Sequence, residues 1–119
     1  MNIGETYTLT HIVSEKETAE IIGSGGLPVY STPSMIALME KTAYGLAAAY
    51  DIQSVGTKVN ISHLRACRPG IELTCTAEIT EIEGRRMMFK LSVSDANGLI
   101  GEGTHERFSI DPDRFMSKL

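Results

Sequence analysis

The sequence predicts an α+β fold in which a curved antiparallel five-stranded sheet wraps round one long central helix. The first observation is a stretch over residues 32–50 that is apolar on nearly every side, which is typical of a helix enclosed by other elements. The second observation is the pattern of apolar and polar residues in the rest of the chain. One segment of alternating apolar and polar residues precedes this stretch and four follow it, separated by turn signals. Short connections between strands indicate an antiparallel sheet, and the long helix is the element that can cover its inner face.

The chain opens with a predicted strand and a predicted short helix. Residues Thr6–Val13 are rich in β-branched side chains and alternate imperfectly, which favours a strand. Ser14 and Glu17 form a capping-box pattern, so a short helix is predicted over 15–22. It ends at the glycine-rich segment Gly23–Gly26, which is the most flexible stretch of the chain.

The long helix is predicted to start with Thr32 as its N-cap and Pro33 as its first residue, because proline loses no hydrogen bond there. It is too short and too charged, with Glu40 and Lys41 at its middle, to span a membrane. Glu40 has apolar helical neighbours, so its carboxylate needs a partner. A subunit edge with an ion pair to Lys41 or an arginine would provide one. Carboxylates in such settings also cluster at functional sites.

The second half of the chain is predicted to be four strands. They cover residues 57–66, 71–82, 86–95 and 99–110. Short turn signals, above all Asn97-Gly98, predict hairpins, so the four strands are expected to form a meander. His63 points with the apolar side chains of its strand. An open sheet of this kind has free edges, and pairing with a second copy would remove one of them.

Composition excludes several classes of function. The chain has 119 residues, which fits a single domain over 1–119. With 11 basic and 15 acidic residues its net charge is −4, which argues against a nucleic acid or an anionic membrane as the main partner. Cys67 and Cys75 lack a CxxC spacing and a histidine cluster, which favours free thiols in the cytoplasm. No apolar signal core is seen in the first ten residues.

Four segments carry a resemblance to a known family: YSTPSMIALMEK, GTKVNISHLRACRPG, EIEGRR and the later HERF at 105–108. They resemble the thioesterase superfamily, which has the hot-dog fold, and in particular its fluoroacetyl-CoA thioesterase-like branch. The resemblance covers about Leu27–Phe108. It implies that the chain hydrolyses acyl thioesters of coenzyme A or acyl carrier protein, as a homodimer or a dimer of dimers. It also implies that no metal or separate cofactor takes part.

The resemblance also implies which residues act. In that branch the catalytic set is a threonine at the helix start, a glutamate in the helix and the histidine that ends the Ser-His segment. These positions match Thr32, Glu40 and His63. Thr32 and Glu40 are eight residues apart, about 12 Å along one helix at about 1.5 Å per residue, so each site is expected to combine groups from two chains.

Each of these three residues has a proposed role and an alternative. Glu40 would act as general base or as nucleophile, and His63 would orient it or carry the proton to the leaving thiolate. Thr32 would hold the water or the carbonyl, with the N–H groups of the first helical turn stabilising the oxyanion. A plain N-cap would equally explain Thr32, and a hydrogen-bonded structural histidine would explain His63.

Other residues extend the prediction. Arg85 and Arg86 at a hairpin tip could bind coenzyme A phosphates, although arginines at turns are more often only solvated. His105 could approach His63, but their spacing with Glu40 matches no compact metal signature, so no metal site is predicted.

The sequence leaves open both the identity of the acyl group and the choice between hydrolysis and binding. The fluoroacetyl-specific branch is expected to close its site with bulky apolar side chains ahead of the helix, whereas this chain has Gly23–Gly26 there. The acyl group therefore stays open. A non-hydrolytic acyl-CoA or small-ligand binding module is the alternative function. A dehydratase or hydratase is less favoured, because no clear aspartate and histidine pair is seen.

Overall fold

The computed structural model describes all 119 residues and contains one five-stranded antiparallel sheet and three α-helices. The strands are β1 (Thr6–Ile12), β2 (Ser54–His63), β3 (Glu72–Glu83), β4 (Arg86–Asp95) and β5 (Gly98–Ser109). The helices are α1 (Ala19–Ile22), α2 (Thr32–Ala48) and α3 (Pro112–Met116). The predicted α+β class, with one long helix against a five-stranded sheet, is confirmed. None of the helices combines the length and the apolar character that crossing a bilayer requires.

The order of strands in the sheet is β1-β3-β4-β5-β2, and every neighbouring pair is antiparallel. The predicted meander is therefore correct for β3, β4 and β5 and wrong for β2, which pairs with β5 and forms one edge. The segment 64–71 after β2 is too long for a tight hairpin, and backbone bonds tie it elsewhere. Within it, the Cys67 carbonyl accepts from the N–H of Tyr30, and the N–H of Gly70 donates to the Val13 carbonyl.

The core lies between one face of α2 and the inward side chains of the sheet. The alternation of β3 and β4 buries one apolar set in each strand, which are Leu73, Cys75, Ala77 and Ile79 in β3 and Met87, Phe89, Leu91 and Val93 in β4. Met35 and Met39 of α2 are fully buried against them. Ile71, which alternation places in the same inward set as Leu73, lies ahead of β3 and is 39% exposed.

The opposite face of α2 stays open in the single chain. Its open positions recur at intervals of three and four residues, which defines one helical stripe. Pro33, Ala37 and Lys41 are exposed there, and Ile36 and Glu40 are half-buried. The expectation that other elements of the chain enclose the helix is thus wrong for this stripe, because the sheet covers only one side.

Two short segments differ from their predictions. The capping box of Ser14 and Glu17 is present, but it starts a 3-10 turn over Glu15–Glu17 rather than a helix to residue 22. Thr18 is extended and pairs with Tyr30, which separates the turn from α1. The helix α3 was not predicted, although Asp111 caps it directly ahead of a proline.

Candidate functional site

Ser31, and not Thr32, is the N-cap of α2. The Ser31 Oγ accepts a hydrogen bond from the N–H of Ser34 at 3.2 Å, and Thr32 is the first helical residue. The predicted N-cap is therefore wrong by one residue. Because Ser31 satisfies the helix end, the hydroxyl of Thr32 is free to bind another partner.

That partner is His63, the last residue of β2. The Thr32 Oγ1 lies 2.8 Å from the His63 Nδ1, and the Tyr30 ring packs edge-on against the imidazole with 6.4 Å between ring centroids. The His63 Nε2 is buried and has no hydrogen-bond partner in the single chain. Burial lowers the pKa of His63 below its ordinary value of 6.5, so the imidazole is neutral at pH 7. A neutral imidazole with one unpaired nitrogen can exchange a proton with a bound group.

A cleft of about 300 Å³ opens beside the Thr32–His63 pair. Small and apolar side chains form much of its wall, among them Ala19, Val29 and Leu64. Ahead of the helix, no atom lies within 4 Å of the place where a Cβ on Gly26 would stand. Gly26 therefore has open space for a side chain, whereas a Cβ on Gly25 would lie 3.3 Å from the Ala19 Cβ.

Glu40 lies apart from that pair within the chain. It stands eight residues beyond Thr32 on the same helix, about 12 Å at about 1.5 Å per residue. Its Oε2 is 3.6 Å from the Nη1 of Arg107, and its side chain is 43% exposed. On the other side, a Cβ on Gly56 of β2 would lie only 2.7 Å from the Glu40 Oε2. One chain thus brings Thr32 and His63 together and places Glu40 in a second cluster.

Arg107 organises this second cluster, and no sequence motif pointed to it. Its Nε donates to the Ser54 Oγ at 2.8 Å, and its Nη2 donates to the Ser54 carbonyl at 3.0 Å. Burial lowers the pKa of Arg107, and the carboxylate of Glu40 opposes that shift. A guanidinium remains cationic even so, and it presents a fixed positive charge to Glu40. The available signal was strand alternation, which places Arg107 and His105 on the same inward face of β5.

His105 supports Arg107 and does not approach His63. Its Nδ1 lies 2.7 Å from the Lys58 carbonyl, and its Nε2 lies 3.1 Å from the Nη1 of Arg107. The carbonyl can only accept and the guanidinium can only donate, so Nδ1 carries the proton and the ring is neutral. Burial lowers the pKa of His105, which favours the same state. No three His, Cys, Asp or Glu side chains converge in a metal-binding arrangement.

The two arginines at the β3–β4 hairpin have different surroundings. Arg86 donates through Nε to Glu106 at 2.7 Å and through Nη1 to Glu81 at 3.0 Å, so carboxylates already occupy its guanidinium. Arg85 has no carboxylate within 4.0 Å and lines a separate cleft against α3. Of the two predicted phosphate contacts, Arg85 is the one with a free guanidinium.

The sequence profile of a family described as fluoroacetyl-CoA-specific thioesterase matches residues 13–113. The chain belongs to this family. The resemblance that the sequence motifs suggested is thereby confirmed, and so is the predicted enzyme class, a thioester hydrolase.

Similar proteins agree with membership of this thioesterase family. The fluoroacetyl-CoA thioesterase of Streptantibioticus cattleyicolor is 34% identical over 128 residues, which cover 100% of this chain and 92% of that protein. A mutant of the fluoroacetyl-CoA-specific thioesterase FlK, solved in complex with fluoroacetate and CoA, is 32% identical in sequence and matches the structure with a TM-score of 0.90. The match covers 97% of this chain and 99% of that one. A hot-dog-like protein from Thermanaerovibrio acidaminovorans, 20% identical with a TM-score of 0.88 over 99% and 90% of the two chains, shares the fold. The predicted hot-dog fold is confirmed.

Proposed function

We propose that this protein is an acyl-CoA thioesterase that hydrolyses a small or short-chain acyl thioester at a site on the interface of a homodimer. Thr32, Glu40 and His63 are its proposed catalytic residues. The observation that carries the proposal is the separation of Glu40 from the Thr32–His63 pair within one chain. The FlK mutant in complex with fluoroacetate and CoA supports coenzyme A as the carrier of the acyl group.

Two adjoining surfaces support the homodimer. The outer edge of β2 has no neighbouring strand, and its sequence SVGTKVNISH contains no proline and only one charged residue, Lys58. Soluble proteins usually protect such an edge by charge, proline or a covering element. The open stripe of α2 is also largely apolar, with Pro33, Ile36 and Ala37 along it. A second copy that pairs through β2 would cover both surfaces.

Antiparallel pairing of β2 with the same strand of a second copy would complete the site. In a symmetric pair at full overlap, Ser54 of one copy lies opposite His63 of the other. Ser54 binds Arg107, and Arg107 faces Glu40. The Glu40 cluster of one copy would then adjoin the Thr32–His63 pair of the other. The unpaired Nε2 of His63 would have a carboxylate or a substrate group within reach.

The chemistry requires an activated water, a stabilised oxyanion and a proton for the leaving group. Glu40 accepts a proton from water while the water oxygen bonds to the thioester carbonyl carbon. The tetrahedral intermediate then expels the thiolate, and the C–S bond breaks. His63 takes that proton from Glu40 and passes it to the thiolate, which yields free coenzyme A and returns both residues to their starting states. In the alternative route the Glu40 carboxylate attacks the carbonyl carbon, and the C–S bond breaks to release the thiolate. Water then hydrolyses the resulting anhydride and frees Glu40, and His63 passes a proton of that water to the thiolate.

The helix start offers fewer oxyanion donors than the sequence suggested. Pro33 has no N–H, and the N–H groups of Ser34 and Met35 already donate to Ser31. The N–H of Thr32 is the remaining donor of the first turn, and it lies beside the hydroxyl that contacts His63. We assign the oxyanion to this N–H, assisted by the Thr32 hydroxyl.

Thiol release from a panel of acyl-CoAs tests the proposal. Glu40→Gln and His63→Ala should each lower kcat by at least about 100-fold, because each removes a proton-transfer group, while circular dichroism shows an intact fold. Glu20→Gln, an exposed carboxylate on α1, is the matched control and should retain full turnover. Unchanged turnover in both site variants would contradict the proposal. Tight binding of acyl-CoA by the wild-type protein without any thiol release would favour the binding module instead.

We also propose that the chain is a single cytoplasmic domain that forms a homodimer or a dimer of dimers. Cys67 and Cys75 are both buried and unpaired, and burial raises the pKa of both thiols. Such inert free thiols suit a reducing compartment. Light scattering of the purified protein and fractionation of the producing cells test these two statements separately.

A further inference from the structure

We propose that a cleft between the β3–β4 hairpin and α3 binds the phosphorylated adenosine end of coenzyme A. This basic cleft has a volume of about 420 Å³ and is lined by Arg85, Ile110, Asp111, Arg114, Phe115 and Lys118. The inference rests on the proposed function, because it names where the same enzyme holds the distant part of the same substrate. Arg114 belongs to α3, and Lys118 lies just after it, in a part of the chain for which the sequence predicted no element.

Charge is the first property that fits a polyphosphate ligand. The whole chain has a net charge of −4, yet three of the six lining residues of the basic cleft are cationic. Arg85, Arg114 and Lys118 have no carboxylate within 4.0 Å. The single acid, Asp111, accepts a hydrogen bond from the backbone N–H of Arg114 at 3.3 Å and so caps α3. Unpaired cations that converge in an acidic protein favour a multiply charged anion.

The apolar part of the basic cleft distinguishes a nucleotide from a simple phosphate. Ile110 and Phe115 are half-buried between the cations. A purine base can stack on the face of an aromatic ring, and such stacking is independent of hydrogen-bond readout. Cations that bind phosphate beside a ring that stacks a base match a phosphorylated adenine nucleotide, which is the chemistry of the coenzyme A tail.

The position of the basic cleft fits a ligand that also reaches Glu40. The Arg85 carbonyl accepts a hydrogen bond from the Ser109 N–H at 2.8 Å, which joins the hairpin to the end of β5. Ser109 lies two residues beyond Arg107, about 7 Å at about 3.4 Å per residue. The Ile110 N–H donates to the Gln53 carbonyl at 2.9 Å, so the root of α3 is anchored beside the start of β2. The pantetheine arm would bridge from the basic cleft to the thioester.

Paired substrates separate this binding role from catalysis. An acyl-CoA and the N-acetylcysteamine thioester of the same acyl group present the same reacting bond, but only the former carries the nucleotide. The test variant combines Arg85→Gln, Arg114→Gln and Lys118→Gln. The matched control combines Lys16→Gln, Arg68→Gln and Lys90→Gln, three exposed cations elsewhere on the surface that also lack a nearby carboxylate.

The test variant should lose about 30-fold or more in kcat/KM for the acyl-CoA, mainly through KM, because three charge-assisted contacts disappear. Its kcat/KM for the N-acetylcysteamine thioester should stay within about twofold of the wild-type value, and the control should resemble wild type on both substrates. Equal losses on the two substrates, an equal loss in the control, or no loss on the acyl-CoA would overturn the inference.

Calorimetric titration with adenosine 3′,5′-bisphosphate keeps the basic cleft testable if the protein hydrolyses neither substrate. Absence of hydrolysis would contradict the proposed function, and binding of the probe alone would then show whether the cleft holds a nucleotide. The wild-type protein should bind this probe in a salt-dependent manner, and the test variant should lose that binding while its melting temperature stays at the wild-type value. No binding by the wild-type protein, or equal binding by the test variant, would overturn the assignment of the cleft.

Discussion

Gly56 is the position where one added methyl group tests the geometry around Glu40. In Gly56→Ala the new Cβ would lie 2.7 Å from the Glu40 Oε2, 3.1 Å from the His105 Cε1 and 3.3 Å from the Arg107 Nη1, all closer than the ordinary contact range of 3.4–4 Å. His105 and Arg107 are buried and hydrogen-bonded, whereas Glu40 is the end of a flexible side chain that is 43% exposed. Glu40 is therefore the group that moves farthest, whereas His105 and Arg107 each have to give by a few tenths of an ångström.

The change should affect activity far more than stability. Because the carboxylate can swing towards solvent, the free energy of unfolding should fall by about 1 kcal/mol, the lower limit for overpacking. Reaching an ordinary contact distance displaces the Glu40 oxygen by roughly 1 Å, and a displacement of that size at a reacting group lowers the rate about 100-fold. That corresponds to about 3 kcal/mol in the activation barrier.

Thiol-release kinetics and urea denaturation of Gly56→Ala measure the two effects separately. Gly26→Ala is the matched control, because no atom lies within 4 Å of its added Cβ. The control should keep wild-type turnover, whereas Gly56→Ala should lose kcat at temperatures where it is fully folded. Wild-type kcat in Gly56→Ala, or a loss that disappears once the unfolded fraction is corrected for, would refute the placement of Glu40 at the reacting centre.

The helix start and two histidines, half-buried His63 and buried His105, give two further predictions. Ser31→Ala removes the N-cap of α2 and should lower the free energy of unfolding by about 1 kcal/mol in urea denaturation. Thr32→Ala should leave stability nearly unchanged and lower turnover. Equal stability losses in the two variants would contradict this division of roles. Burial lowers the pKa of His63 and His105 below 6.5, so the unfolded chain binds more protons than the folded chain below that pH. The melting temperature should therefore fall as the pH is lowered from 6.5 towards 5, and His63→Gln should flatten that slope, whereas an unchanged slope would count against a buried neutral imidazole.

Most elements of the fold, α3 excepted, could be predicted from the sequence because each of them carries a local signal. Alternation and turn residues locate β3, β4 and β5, and the long apolar stretch locates α2. The place of β2 could not be predicted, because its pairing with β5 depends on contacts between segments that are distant in the sequence. The open stripe of α2 was missed for a similar reason, since an apolar sequence does not show which of its faces the chain itself covers.

The sequence predicted which residues form the candidate site better than it predicted how they are arranged. The motifs identified Thr32, Glu40 and His63. Adjacent Ser31 and Thr32 are both favourable N-cap residues, and only the structure shows which hydroxyl is free. Arg107 was missed because a charged residue in a strand is usually read as solvent-facing. Its partners, Ser54 among them, lie far away in the sequence.

The central claim is that one catalytic site combines Glu40 of one copy with His63 of another. The most direct measurement is thiol release by an equimolar mixture of the Glu40→Gln and His63→Ala chains, refolded together. A mixed dimer would hold one intact site, with Glu40 from one chain and Thr32 and His63 from the other. Random assembly makes half of the dimers mixed, each with one of two sites working, so about a quarter of the wild-type activity should return. If the residues act within one chain, no dimer holds a complete site, and the mixture will stay as inactive as either variant alone.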